Sequence, residues 1–190
     1  MKRALLLFLC LAVLTAGCGS KKSSTPKPVG PVLPAAQTAD EWALRVVNIF
    51  LRPLNKDLNV VTNFNNPQIQ LFIASQNPTT LQIIKNRMND LKRCSAKLIQ
   101  IGPPPNGHPQ LDTIDNDFHK ACVEYEKVAD VLQRATPLLA SGRTDVMAEG
   151  AKMVRGVKDA SGRAADNFAN GLRIAQGLPE FRRAGLKPSV

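Results

Sequence analysis

The sequence predicts an all-α protein: an antiparallel up-down bundle of four to five helices that follows a disordered N-terminal segment. Three observations support this fold class. Apolar residues recur at spacings of three and four along most of residues 38–178. No stretch alternates convincingly with the period of two that a half-buried strand needs. The connections between the periodic segments are short, which favours antiparallel neighbours.

The first helix is expected to begin at Thr38. Thr38-Ala39-Asp40-Glu41 fits a capping box, in which the Thr hydroxyl and the Glu carboxylate satisfy free backbone N–H groups. An apolar stripe follows, and Pro53 interrupts it, which predicts a bend or a split. A break is expected at residues 63–66, and Asn66-Pro67 predicts the start of a short helix that ends near Ser75.

Two long helices are expected next, joined by a proline-rich loop. Asn77-Pro78 predicts a helix start, and Gly102-Pro103-Pro104-Pro105 predicts its end. The following helix is expected over about 111–139, with a break at Ser141-Gly142. The triple proline is typical of a stiff connector, although such segments also bind aromatic grooves.

The last helix is expected over about 144–177 and is rich in glycine. The glycines of this segment do not share one face, and each costs about 1 kcal/mol relative to alanine in a helix interior. They allow either close helix contact or a helix that bends, and the sequence does not choose between these. Residues 179–190 are expected to form a basic, frayed C-terminal tail.

The first 18 residues have the pattern of a targeting segment. Lys2 and Arg3 precede an apolar stretch, 4–16, which is too short to span a bilayer core of about 30 Å. The run Leu14-Thr15-Ala16-Gly17-Cys18 resembles the lipobox of bacterial lipoproteins. The resemblance implies cleavage before Cys18 and a diacylglyceryl group on its thiol, and two acyl chains make a durable membrane anchor. An ordinary cleaved signal and an uncleaved anchor are the alternatives.

The resemblance divides the chain into four parts: a signal peptide (1–17), a lipidated tether (18–37), a helical domain (38–178) and the basic tail (179–190). The tether is rich in Ser, Pro and Lys and cannot bury enough apolar surface to order itself. The resemblance implies that this tether holds the domain on the extracytoplasmic face of a cell membrane. Lysines in the tether would lie near anionic headgroups.

Four cysteines occur in the chain. Cys10 falls in the signal and Cys18 takes the lipid, which leaves Cys94 and Cys122 for the domain. Cys94 lies 8 residues before Gly102 and Cys122 lies 11 after Leu111, so both sit at similar heights on a helical hairpin. In an oxidising compartment such a pair predicts a disulfide. Two free thiols or a metal site are the alternatives.

Other chemical signals are weak. Asp115, His119 and Cys122 share a helical face and could begin a metal site, but that use competes with the disulfide. Asp112, Asp115 and Asp117 could do acid–base chemistry, but acidic residues in a first turn are explained by the helix dipole. No haem motif, catalytic motif or phosphate-binding glycine loop is found, so we expect no cofactor and no enzyme activity.

The formal net charge of +10 is concentrated at the ends of the chain. Residues 142–190 hold 9 basic and 5 acidic side chains, or +4. The basic residues that could form a patch there are Arg155, Lys158, Arg163, Arg173, Arg182, Arg183 and Lys187. They suit an anionic lipid or a wall polymer, and they suit nucleic acid poorly because no aromatic residues are interleaved for base stacking.

Two function classes follow. The first is a non-catalytic interaction or structural module of the cell envelope, which predicts a filled interior and an exposed patch. The second is a carrier that holds a small molecule or metal in the bundle interior, which predicts a pocket of roughly 300 Å³ or more with convergent polar groups.

Overall fold

The computed structural model of the chain describes residues 26–64 and 73–187. The described residues are helical and contain no strand, as the sequence predicts. The helical elements are α1 (Ala39–Arg45), a π-helical segment (Val46–Leu51), α2 (Arg52–Asn63), α3 (Pro78–Leu91), α4 (Cys94–Ile101), α5 (Pro109–Leu139), α6 (Thr144–Gly156), α7 (Lys158–Gly177) and α8 (Pro179–Arg183).

These elements form four successive rods and a short final helix. The first rod joins α1, the π-helical segment and α2; the second joins α3 and α4; the third is α5; and the fourth joins α6 and α7. The central rod is α5, which packs against α3, α4, α6 and α7. Asn89 of α3 contacts Gln133 of α5 and Ser95 of α4 contacts Glu126, so these two rods run in opposite directions. The predicted all-α helical bundle is confirmed.

The first rod begins as predicted and passes Pro53 without breaking. The Thr38 hydroxyl accepts the Glu41 N–H at 3.1 Å, while the Glu41 carboxylate accepts the N–H of Gln37 at 2.9 Å. Pro53 has no N–H to donate, and in a regular α-helix its ring would also clash with the carbonyl four residues earlier. The chain instead widens into a π-helical segment, in which the N–H of Arg52 reaches back five residues to the carbonyl of Val47.

The second rod contains a break that the sequence does not predict. Helix α3 ends at Leu91 and α4 starts at Cys94, with no glycine or proline between them. One freed backbone group is satisfied by α5, because Glu126 accepts the N–H of Ser95 at 2.7 Å. The side chain of Lys92, at the break, also pairs with Asp130 of α5 at 2.9 Å. The short helix predicted to start at Asn66-Pro67 lies largely outside the described residues.

The glycines of the fourth rod have two structural roles: some lie close against α5, and one ends a helix. A Cβ on Gly150 would lie 3.0 Å from Leu138 Cβ, and a Cβ on Gly171 would lie 2.9 Å from Phe118 Cε1. Both glycines therefore let the rod lie close against α5. Gly156 ends α6, so the segment is two helices and not one. Gly162 faces open space among the described residues.

Two predictions, a frayed C-terminal tail and a free tether, are wrong for part of their length. The C-terminal segment packs on the bundle, because it forms α8 and Phe181 is fully buried, with its ring centroid 6.0 Å from that of Trp42. The last part of the tether also packs on the domain, because the Leu33 N–H donates to the Gln100 carbonyl at 3.0 Å and Ala36 is buried. Neither segment has a helical apolar stripe, so the burial of single residues there leaves no periodic pattern in the sequence.

The centre of the bundle is more aromatic than the composition suggests. Phe50 and Phe118 lie 5.1 Å apart between ring centroids, and Phe118 lies 5.5 Å from Phe168. Tyr125 continues this aromatic cluster at 6.4 Å from Phe168, and burial raises its pKa to about 12. These four aromatic residues are thus gathered where the first rod, α5 and α7 meet.

Candidate functional sites

Cys94 and Cys122 lie at disulfide distance. Their sulfur atoms are 2.01 Å apart and their Cα atoms 5.1 Å apart, and both residues are fully buried. Cys94 is the first residue of α4 and Cys122 is in the middle of α5, so the pair joins the two arms of the hairpin directly after the break in the second rod. The structure therefore brings together the two cysteines that the sequence pairs.

The residues of the alternative metal site do not form a ligand set. His119 Nε2 lies 3.7 Å from Asp115 Oδ1, one helical turn away, while the sulfur of Cys122 lies against Cys94. Within the described ranges, no group of three or more His, Cys, Asp or Glu side chains is close enough to hold a metal ion. An ion held by two ligands would lack half of a tetrahedral shell.

The three aspartates at the start of α5 have different surroundings. Asp112 is exposed in the first turn, where the helix dipole favours a negative charge. Burial raises the pKa of Asp115, against the opposing effect of His119, and the nearby Asp112 raises it further. Asp117 is buried and accepts a hydrogen bond from the Asn170 amide, which fixes α7 to α5. Asp117 thus has a structural role.

A buried ion cluster, which the spacing of apolar residues does not predict, joins the first two rods. Asp57 of α2 is buried, with Arg87 at 3.3 Å from Oδ1 and Lys97 at 3.4 Å from Oδ2. Burial raises the pKa of Asp57, whereas Lys97 lowers it and Asp90 raises it. A signal was present in the sequence: Asp57 is a charged residue inside the apolar stripe that includes Leu54.

The predicted basic region is partly neutralised in the fold. Arg163 pairs with Glu124 at 2.9 Å, and Arg183 pairs with Asp40 at 2.8 Å. Arg173 donates to Asn170 Oδ1 at 2.9 Å. The members that are exposed and have no hydrogen-bond or ion-pair partner among the described residues are Arg155, Lys158, Arg182 and Lys187. Two of these four flank the junction of α6 and α7, and the other two lie in the C-terminal segment. They are therefore two separate pairs along the chain.

The spaces that the described residues line differ widely in volume. Between α2, α5, α6 and α7 the space is about 20 Å³, enough for about one water molecule. Larger spaces lie at the surface. A groove of about 310 Å³ lies between α3 and the end of α5, and one of about 250 Å³ lies between the first rod and α7.

Comparisons with known proteins assign no family. The chain matches no protein-family model, no curated protein and no solved structure. Among the helices in residues 26–64 and 73–187, none is both long enough and apolar enough to span a membrane. Cys18, the expected lipidation site, and Cys10 lie outside the described residues, as does the run that resembles a lipobox.

Proposed function

We propose that the chain is a bacterial lipoprotein, acylated on Cys18, that carries a non-catalytic interaction or structural module on the extracytoplasmic face of a cell membrane. The observation that carries the choice of an interaction module is the packed aromatic cluster at the centre of the described bundle, which leaves its buried residues in contact with one another. The run that ends at Cys18 supports the anchor.

The cysteine pair supports the compartment. Cys94 and Cys122 lie at disulfide distance in the hairpin, and stable disulfides of this kind form in oxidising environments outside the cytoplasm. A cross-link that closes a loop of 28 residues contributes on the order of 3–4 kcal/mol in the chain-entropy model.

Membrane attachment is tested by fractionating cells that express three forms of the full chain. Wild-type protein is expected in the membrane fraction, released by detergent but not by salt, because the anchor is a lipid. Cys18→Ser is expected to lose the lipid and to shift out of the detergent-released fraction. Cys10→Ser changes a cysteine of the same segment and is the matched control, which we expect to behave as wild type. Equal membrane attachment of all three forms would contradict the anchor.

The interaction module is tested at the surface of the domain. Ile83 and Val123 are large apolar residues that are about half exposed, at 51% and 48%. A photo-crosslinking amino acid at either position is expected to give a discrete cross-linked species in intact cells. The same amino acid at the exposed Arg134 is the control. If neither Ile83 nor Val123 gives a discrete cross-linked species, the result would argue against a protein partner on these faces.

The free cations support a second, weaker contact with the membrane surface. Arg182 and Lys187 follow α7 in the C-terminal segment and have no ion-pair partner among the described residues, and each cation near an anionic bilayer contributes about 1 kcal/mol. We expect the Cys18→Ser chain to sediment with vesicles that contain anionic lipid, to dissociate as salt is raised, and to bind less when both cations are changed to Glu. Salt-independent binding would refute an electrostatic contact.

A further inference from the structure

A surface groove between the second rod and the end of α5 has the composition of a ligand site. Its volume is about 310 Å³, and its lining residues are Leu81, Ile84, Lys85, Gln133, Thr136 and Pro137. Leu81 and Ile84 lie one turn apart on α3 and form one wall with their apolar side chains. Pro137 lies in the last turn of α5 and is exposed, so its ring extends the apolar wall to the rim.

Most polar groups of the groove are already engaged. The Thr136 hydroxyl donates to the Leu132 carbonyl at 2.7 Å, so it is not free to donate to a ligand. The Gln133 side chain accepts from Lys92 at 3.1 Å and donates to Asn89 at 2.9 Å. The lining therefore offers apolar surface and few uncommitted donors.

Lys85 is the exception. Its side chain is exposed at the groove and has no hydrogen bond or ion pair within the part of the chain that the structure describes. It is also the one charged residue among the described residues that line the groove, and no carboxylate lies beside it there. A ligand that suits this lining has an apolar body and an anionic group at one end.

We propose that the groove binds a fatty acid, with its hydrocarbon chain along Leu81, Ile84 and Pro137 and its carboxylate at the Lys85 ammonium. The volume of the groove limits how many carbon atoms of the hydrocarbon chain it can cover. A methylene group occupies about the volume of a water molecule, ~30 Å³, so the groove holds roughly ten carbon atoms. The site lies on the surface and does not use the bundle interior, so it neither needs nor contradicts the interaction module proposed above.

The proposal is tested by titrating the purified Cys18→Ser chain with decanoate by calorimetry, in detergent-free buffer and below the micelle concentration. Decanoate is expected to bind saturably with one site per chain, and decyltrimethylammonium, which has the same chain length and the opposite charge, is expected to bind more weakly. Lys85→Glu is expected to weaken decanoate binding about fivefold, the upper range for an exposed ion pair.

Lys56→Glu is the matched control, because Lys56 is also an exposed lysine without a partner among the described residues but lies on α2, away from the groove lining. It makes the same change in net charge and is expected to leave decanoate binding unchanged. Both variants change exposed residues, and circular dichroism checks that each is folded. The absence of saturable decanoate binding would overturn the proposal, as would an equal effect of the two variants or equal binding of the two amphiphiles.

Discussion

Gly171 provides a sharp test of how closely α7 approaches α5. An alanine Cβ at this position would lie 2.9 Å from Phe118 Cε1 and 3.3 Å from Asp117 Cβ. Phe118 is fully buried in the aromatic cluster, with Phe50 at 5.1 Å and Phe168 at 5.5 Å, so its ring cannot move aside without disturbing other rings. Gly171→Ala should gain about 1 kcal/mol of helix propensity. It should lose about 1–3 kcal/mol by overpacking.

Gly162→Ala separates these two effects because Gly162 lies in the same helix and faces open space. This variant should keep the gain of about 1 kcal/mol without the clash. The free energies of unfolding of the two variants should therefore differ by about 1–3 kcal/mol, with Gly171→Ala the less stable. Urea unfolding of the oxidised Cys18→Ser background, followed by circular dichroism, measures both. Equal stabilisation by the two substitutions would refute the close approach of the helices.

Three further predictions concern other parts of the fold. Phe181→Ala should destabilise the domain by about 3–5 kcal/mol as a buried aromatic is lost, and should shift Trp42 fluorescence to longer wavelength as α8 detaches. Its failure to alter either property would mean that α8 is not docked. Replacing Cys94 and Cys122 together by Ser should cost about 2–4 kcal/mol in urea unfolding, and reductant should reduce wild-type stability to the same level but leave the double variant unchanged. Glu124→Gln should lower the free energy of unfolding at pH 7, because hydrogen bonds from Lys127 and Arg163 lower the pKa of Glu124 in the folded protein. A carboxylate whose pKa is lowered by folding contributes stability that is lost as the pH falls through its folded-state pKa. The difference from wild type should therefore shrink in unfolding curves measured from pH 7 down to about pH 3, and a difference that does not depend on pH would refute this origin.

The sequence predicts those features whose signals are local. Thr38 and Asn77 are side-chain caps in the structure, with Asn77 Oδ1 accepting the N–H of Thr80 at 3.0 Å. Gly102 ends α4 with a φ of 80°, a left-handed value that favours glycine. Each of these depends on a residue and its neighbours within one helical turn, which is the range over which a sequence pattern can be interpreted.

The break between Leu91 and Cys94 shows what local patterns miss. The apolar stripe continues through it, and no residue there is a poor helix former on its own. The break is stabilised by Glu126, which accepts the N–H of Ser95 from 31 residues away. A hydrogen bond between distant segments has no periodic signature, so the sequence cannot predict where a long helix divides.

The candidate sites divide in the same way. The hairpin geometry predicts that Cys94 and Cys122 meet, because two helix lengths and one loop determine their heights. The groove beside Lys85 depends on how α3 and the last turn of α5 diverge, which no stripe indicates. The glycines of the fourth rod are an intermediate case: their cost in a helix is evident from the sequence, but only the packing separates Gly171, which touches Phe118, from Gly162, which does not.

The lipid on Cys18 is tested by mass spectrometry of the intact protein from its native membrane. We expect a chain that begins at Cys18 and exceeds the mass of its polypeptide by that of a diacylglyceryl group, with or without a further acyl chain. After proteolysis, we also expect a peptide pair joined through Cys94 and Cys122 that separates only with reductant. A Cys18 that carries no lipid would contradict the proposed membrane anchor, whatever the state of the other two cysteines.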